Sequence, residues 1–357
     1  MVEYIMYLIY DIWEVAIVRV EKVEYEFVKV EELIELCSIP GVSGREELVR
    51  EKISSTIPMA CSVDKIGNLI YEKDGKNGVG DHKGDHSVLL MAHMDEIGFY
   101  VTDIREDGKL TIRNVGGIIE ETLPGTFVEV VTQNGIINGV IGAVPPHLKS
   151  DGEVFDKCVD VGAKSRIEVY DMGIRELDYV VFKKNSAILN VDNLAMRSLD
   201  DRFGCYTLSQ VANHVENKSD CIFAWTVQEE VGLRGAKALT MSYWPRLAVA
   251  VDSFACCSKQ NKHVELGKGP VIRVLDNSSI SDMSVVRQIF DLAQQRNIPL
   301  QIGATGGGND ASVFSELGVP MVALSVPVRY LHSQVEMISL SDLDNLIKLL
   351  NAFLEVF

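Results

Sequence analysis

Four short apolar runs along the chain end abruptly in polar, metal-type side chains. VLLMA leads into His93 and Asp95, CIFAWTV into Glu229 and Glu230, LAVAV into Asp252, and MVALSVP toward His332. Runs this short and uniformly apolar predict central strands buried on both faces. Segments with a helical apolar repeat alternate with them: DRFGCYTLSQVANHV, SDMSVVRQIFDLAQQR, NDASVFSEL and SDLDNLIKLLNAFLEVF. The alternation predicts an α/β fold with a largely parallel sheet. Ligands of such sheets collect beyond the carboxyl ends of the strands, where the polar residues stand.

Two regions depart from this rhythm. Residues 98–184 hold only strand-like runs, YVTDI, KLTIRNV, TFVEVVT, GIINGVIGAV and YVVF, separated by turn signals such as EDG, NVGG, LPG and QNG. They predict a small all-β module inserted between the two parts of the α/β domain, residues 28–97 and 185–357. Residues 1–27 mix aromatics, β-branched residues and charges with partial alternation, and form either an extra strand or an extension ahead of the domain. From Val28 the pattern clears. KVEELIELC is amphipathic and stops at Pro40-Gly41. Ser43 then opens a second predicted helix, with Glu46 at the capping-box position. The polar segment 74–86 reads as an exposed loop carrying His82 and His86.

Composition narrows the function. The chain has 357 residues, and apolar types make up 47%, enough for a large core. A net charge of −17 argues against nucleic acid, whose phosphates need basic patches. Seven cysteines without a CxxC pair predict buried free thiols in a reducing, cytoplasmic setting. The most apolar opening stretch, YIMYLIY, is broken by Asp11 and Glu14, too short to span a membrane.

Each candidate site residue also has a plain structural reading when taken alone. His93 and Asp95 are a ligand with its orienting acid, or a paired strand end. Asp200-Asp201, before a helix beginning near Arg202, offers a carboxylate able to bridge two cations, or acids suited to a helix start. Glu229-Glu230 joins a ligand to a proton acceptor, or is a solvated loop pair. Asp252 is a ligand or a turn residue, and His332 a ligand or a structural histidine. TGGGNDA has no Walker lysine, and HExxH, GxSxG and an early GxGxxG are all missing.

Together these motifs are distinctive. GVSGRE, DKIGNLI, AHMDEIGF, GAVPPH, DVGAKSR, LDDRFG, QEEVGLRGA, VDS, LGKGP, GGGNDA and PVRYLHS, in this order from about Val28 to Phe357, resemble the tetrahedral (TET) aminopeptidases. That family includes glutamyl, lysyl and deblocking aminopeptidases and proteins named endoglucanase M. The resemblance implies a phosphorylase/hydrolase-like mixed sheet with helices on both faces and an inserted PDZ-like β-barrel. It implies two divalent ions, Zn²⁺ first with Co²⁺ or Mn²⁺ as alternatives. His93 and Asp252 would hold one, Glu230 and His332 the other, with Asp200 shared. Glu229 would be the general base, Asp95 the orienting acid, and the Asp200–Asp201 peptide cis. Short peptides would be the substrates, and a tetrahedral homododecamer the assembly. Asn309, where relatives often carry Thr, and Arg197-Ser198, where Lys-Ala is common, leave substrate preference open. A glycanase, or a peptide-binding scaffold without catalysis, are the rival readings. The two histidines argue against the first and the complete residue set against the second.

Overall fold

Strict alternation inside the central strands explains the layering. The computed structural model describes residues 4–10, 15–21, 23–57, 59–73, 87–148, 155–214, 220–257 and 263–357. Its main sheet has eight strands, in the order Gln301–Ala304, Val271–Leu275, Met321–Val328, Leu247–Ala255, Val88–His93, Cys221–Thr226, Leu69–Lys73 and Ser62–Val63. The four middle strands are the four apolar runs of the sequence, and neighbours among them are parallel. Val88, Leu90 and Ala92 pack into one core and Leu89 and Met91 into another, as a period of two requires. The first core takes helices Val30–Ser38, Glu47–Thr56, Leu199–His214, Met283–Arg296 and Leu340–Val356. The second takes the short helices Arg234–Leu239 and Ser312–Ser315. Each apolar side chain fully buried between the layers stabilises the fold by about 1.5–3 kcal/mol.

The long helices follow local rules. In Leu340–Val356, Leu343, Leu346, Ile347 and Leu350 are buried on one stripe, and Ser339 caps the start by accepting from the Asp342 N–H. Asp282 caps Met283–Arg296, which ends at Asn297 in the left-handed region at φ 53°.

The β-rich insertion closes on itself. Strands Cys158–Asp160, Lys109–Val115, Gly98–Ile104, Tyr179–Phe182, Thr126–Thr132 and Gly135–Ile141 form a barrel. The short Cys158–Asp160 strand pairs with both Lys109–Val115 and Gly135–Ile141 and so closes the ring; no sequence run had marked it. A third sheet joins Ala187–Leu189, Asn193–Met196 and Glu336–Ser339, with Met196 opposite Glu336.

Several expectations need correction. The second helix begins at Glu47, and neither Ser43 nor Glu46 caps it. Asp252 lies inside its strand and not after it. The NDASVFSEL run yields only the helix Ser312–Ser315. Five of the seven free cysteines are buried, but Cys61 is half-buried and Cys257 exposed. Segments 4–10 and 15–21 pair as an antiparallel hairpin. The His82–His86 loop lies outside the described residues. Among the described residues no helix is long and apolar enough to cross a membrane.

Candidate metal centre

The parallel strands deliver their carboxyl ends to one cleft. His93 closes its strand opposite Thr226, so Glu229 and Glu230 follow directly beyond the neighbouring strand. Asp252 arrives on the strand at the other side. Asp200 stands at the head of Leu199–His214, where Asp200 and Asp201 leave helical geometry around a cis peptide bond. His332 sits in the turn closed by the Arg329–Met337 bridge.

All five ligand candidates meet there in two groups that share Asp200. His93, Asp200 and Asp252 form one group, Asp200, Glu230 and His332 the other, each with its ligand atoms within 4.8 Å. His93 Nε2 is 3.5 Å from Asp200 Oδ1. His332 Nε2 is 3.4 Å from both Asp200 Oδ2 and Glu230 Oε1.

Backbone carbonyls orient both rings. His93 Nδ1 lies 3.0 Å from the Asp95 carbonyl oxygen, and His332 Nδ1 lies 2.9 Å from that of Gly117. A carbonyl only accepts, so Nδ1 carries the hydrogen and Nε2 is left for a cation. Gly117 lies in the loop just beyond the barrel strand Lys109–Val115, so the insertion takes part in shaping the cleft. The sequence had marked Gly117 only as the end of the NVGG turn.

Asp95 has a wider part than orienting one ring, and it stands beyond the strand, not on it. Its carboxylate accepts from the N–H of Glu229 at 3.0 Å, the N–H of Glu230 at 3.2 Å and Ser43 Oγ at 2.5 Å. It thus fixes the acid pair and ties it to the loop before the second helix. Glu46 accepts from the N–H of Gln228 at 3.0 Å, pinning a residue with φ 56° directly before the pair. Burial first, then the Asp95 charge, pushes the Glu46 carboxyl up to about 7. Glu96 accepts from Ser198 Oγ at 2.5 Å, where φ is 68°, and from Lys184 Nζ at 2.6 Å. The serine and glutamate read as a local cap therefore support the site from a distance.

Electrostatics favour cations. Burial pulls the His332 imidazole down, but Asp200 and Glu230 outweigh it and carry it up to about 11. Burial raises Asp252 to about 6 despite Arg273 beside it. Burial, reinforced by Asp252, Glu230 and Asp310 against the pull of His93, holds Glu229 well above the carboxylate range. Asp200 Oδ1 and Glu230 Oε1 are buried without a hydrogen-bond partner among the described residues. Unpartnered carboxylate oxygens within 3.5 Å of two imidazole Nε2 atoms suit divalent ions, which would replace the protons the acids draw onto the rings.

The cleft, about 390 Å³, is completed by small residues, including Gly232, Ser253, Ala255 and Thr305–Gly308. Arg273 bonds the carbonyls of Gly306 and Gly308 and fixes that loop. The Asn309 amide pairs with Asp276 and Ser279, and its oxygen accepts from Ala311 N–H, so this departure is spent within the loop. A groove of about 420 Å³ between the helices, lined by Lys29, Glu35 and Gln210 among others, shares no residue with the cleft.

Acid-rich ligand groups at the carboxyl ends of a mixed sheet, beside a spare glutamate, define a metal-dependent hydrolase. The chain matches the family model described as M42 glutamyl aminopeptidase over residues 67–349. It is 36% identical to the lysyl aminopeptidase of Pyrococcus furiosus over 353 residues, covering 93% of this chain and 97% of that protein. It is 28% identical to the glutamyl aminopeptidase of Lactococcus lactis subsp. cremoris over 334 residues, covering 88% and 92% of the two chains. The structure of the Pyrococcus horikoshii TET1 peptidase, which can assemble into a tetrahedron or a large octahedral shell, superimposes with a TM-score of 0.84 at 46% identity, covering 91% of this chain and 98% of that one. The chain belongs to the M42 peptidase family, and its activity is that of a metal-dependent aminopeptidase.

Proposed function

We propose that this chain removes single residues from the free amino terminus of short peptides, using two divalent cations. One is held by His93 and Asp252, the other by Glu230 and His332, and both by Asp200. When bound, the cations polarise the scissile carbonyl and lower the pKa of water toward ~7. Glu229, next to the ligand Glu230 and itself outside both ligand groups, takes a proton from the attacking water and returns it to the leaving amine. Asp95 acts as the orienting acid, through Glu229, Glu230 and His93. The surplus of carboxylates favours a positively charged α-amine over a blocked terminus. Mixed imidazole and carboxylate donors suit Zn²⁺, with Co²⁺ and Mn²⁺ next.

Residues 28–97 and 185–357 form the catalytic unit, and residues 98–184 the insertion. Likeness to the Pyrococcus horikoshii peptidase supports self-assembly into a tetrahedral homododecamer. The free cysteines favour a cytoplasmic setting. The carrying observation is the pair of buried, unpartnered oxygens on Asp200 and Glu230, each within 3.5 Å of a histidine Nε2.

The test is Glu229→Gln. Turnover of an aminoacyl-nitroanilide should fall about 10²–10⁴-fold while two cations per chain are retained. Wild-type kcat would remove Glu229 from the mechanism. Loss of one cation would exchange the roles of the two glutamates. Insensitivity of the wild-type enzyme to chelators would point to a glycanase.

A further inference from the structure

Glu336 was not among the candidate residues, yet it touches two of them. Its side chain is fully buried. Oε2 accepts from the backbone N–H of Asp200 at 3.1 Å, and Oε1 from that of His332 at 3.2 Å. The same carboxylate forms a close ion pair with Arg197 Nη1, itself buried and lying over the Phe182 ring of the barrel at 5.9 Å.

Sheet register sets this geometry. Pairing of Asn193–Met196 with Glu336–Ser339 puts Glu336 opposite Met196. Arg197, Ser198 and Leu199 then lead straight to Asp200. On the other strand the Arg329–Met337 bridge folds the turn so that His332 returns to Glu336. His332 has φ 61°, a conformation that a side chain carrying Cβ rarely holds unaided. One carboxylate therefore clasps the backbones of two of the three residues in the Asp200, Glu230, His332 group. Of the His93, Asp200, Asp252 group it touches Asp200 alone.

We infer that Glu336 is a positioning residue for the cation site formed by Asp200, Glu230 and His332, acting through the N–H groups of Asp200 and His332. The inference rests on the two-cation reading above. Arg197 pairs with the carboxylate and holds its aim, which gives a physical role to one of the sequence's departures from its relatives. A buried carboxylate with two backbone donors and a guanidinium is satisfied. Replacing it by an amide leaves one N–H facing an NH₂ group.

The experiment is a Co²⁺ titration of chelator-stripped full-length protein, followed by visible absorption and by competition with a fluorescent chelator. Wild type should take up two Co²⁺ per chain. In Glu336→Gln one of the two affinities should fall by about 10–100-fold, the range seen when a ligand's hydrogen-bond partner is lost, while the other changes by less than about threefold. Glu336→Asp keeps the charge beside Arg197 but is too short to span both N–H groups, and should show the same selective loss. It serves if the amide variant fails to fold. A merely structural role would weaken both sites together or neither. Equal losses, or no loss in Glu336→Asp, would each overturn the inference. A wild type that takes up fewer than two Co²⁺ would overturn the two-cation reading and this inference with it.

Discussion

Gly117→Ala isolates the barrel's hold on His332. The added Cβ would lie 3.0 Å from His332 Nδ1 and 3.4 Å from its Cε1. Comfortable separations are ~3.5–4.0 Å, so the ring must retreat by roughly half an ångström. It has room, because its side chain is 30% exposed. Retreat lengthens the 2.9 Å contact to the Gly117 carbonyl and draws Nε2 away from Asp200 and Glu230. Losing such an orienting partner weakens metal binding about 10–100-fold, or ~1.4–2.7 kcal/mol. At limiting Zn²⁺ kcat/KM should fall by a similar factor, and excess Zn²⁺ should restore most of it. The melting temperature of the metal-free protein should hardly move, since Gly117 is exposed and lacks a left-handed φ. Gly142→Ala is the matched control, because its Cβ would meet open space. Gly116 would not serve: its φ is 78°, and a Cβ there would lie 2.4 Å from Ile97 Cγ2, so folding itself would suffer. Wild-type activity of Gly117→Ala at every Zn²⁺ concentration would refute the reasoning.

Further outcomes follow from other contacts. A chain beginning at Val23 keeps the bonds of Tyr25 Oη to Asp192 at 3.0 Å and of Phe27 N–H to Asp344 at 2.7 Å, and should match full-length stability. One beginning at Val28 loses both, at about 1.5–3 kcal/mol each, and should melt several degrees lower with kcat unchanged; equal melting curves would show that these contacts carry no stability. Burial raises the Asp342 carboxyl to about 6 although it accepts from the N–H groups of Gly267 and Gly269. Its folded pKa lies above the unfolded value near 4, so the folded state binds the extra proton between about pH 4 and 6 and stability falls across that window as pH rises. The stability of Asp342→Asn relative to wild type should therefore rise from pH 4 to 6, and parallel curves would contradict this. Mass spectrometry of a ten-residue peptide should show a ladder from the amino terminus, with a blocked copy left intact; early internal fragments would count against an aminopeptidase.

The sheet centre was legible because physics there is local. A strand buried on both faces must be apolar throughout, and the first polar residue marks where it leaves the core. That is why His93, Glu229 and Glu230 stood out. Asp252 was harder to place, since its strand continues past it through Ser253 to Ala255. Ser43 and Glu46 were misread because the capping-box spacing looks the same when the side chains serve remote partners: here Ser43 donates to Asp95, and Glu46 accepts from Gln228 as well as Gly44. The contacts of Gly117, Glu96 and Glu336 left no local trace. Their partners are remote in sequence, and only the closed barrel and the register of the small sheet bring them together.

The contacts that shape the cleft span great lengths of chain: 134 residues from Asp95 to Glu229, 136 from Asp200 to Glu336, 215 from Gly117 to His332. Closing such loops is slow and comes only with the completed tertiary structure. During synthesis on the ribosome the acids at 200, 229 and 230 emerge well before His332 and the strand that anchors its turn. A nascent or half-folded copy therefore carries scattered carboxylates and no cutting centre. Proteolytic power arrives last, with the completed fold that gathers its parts.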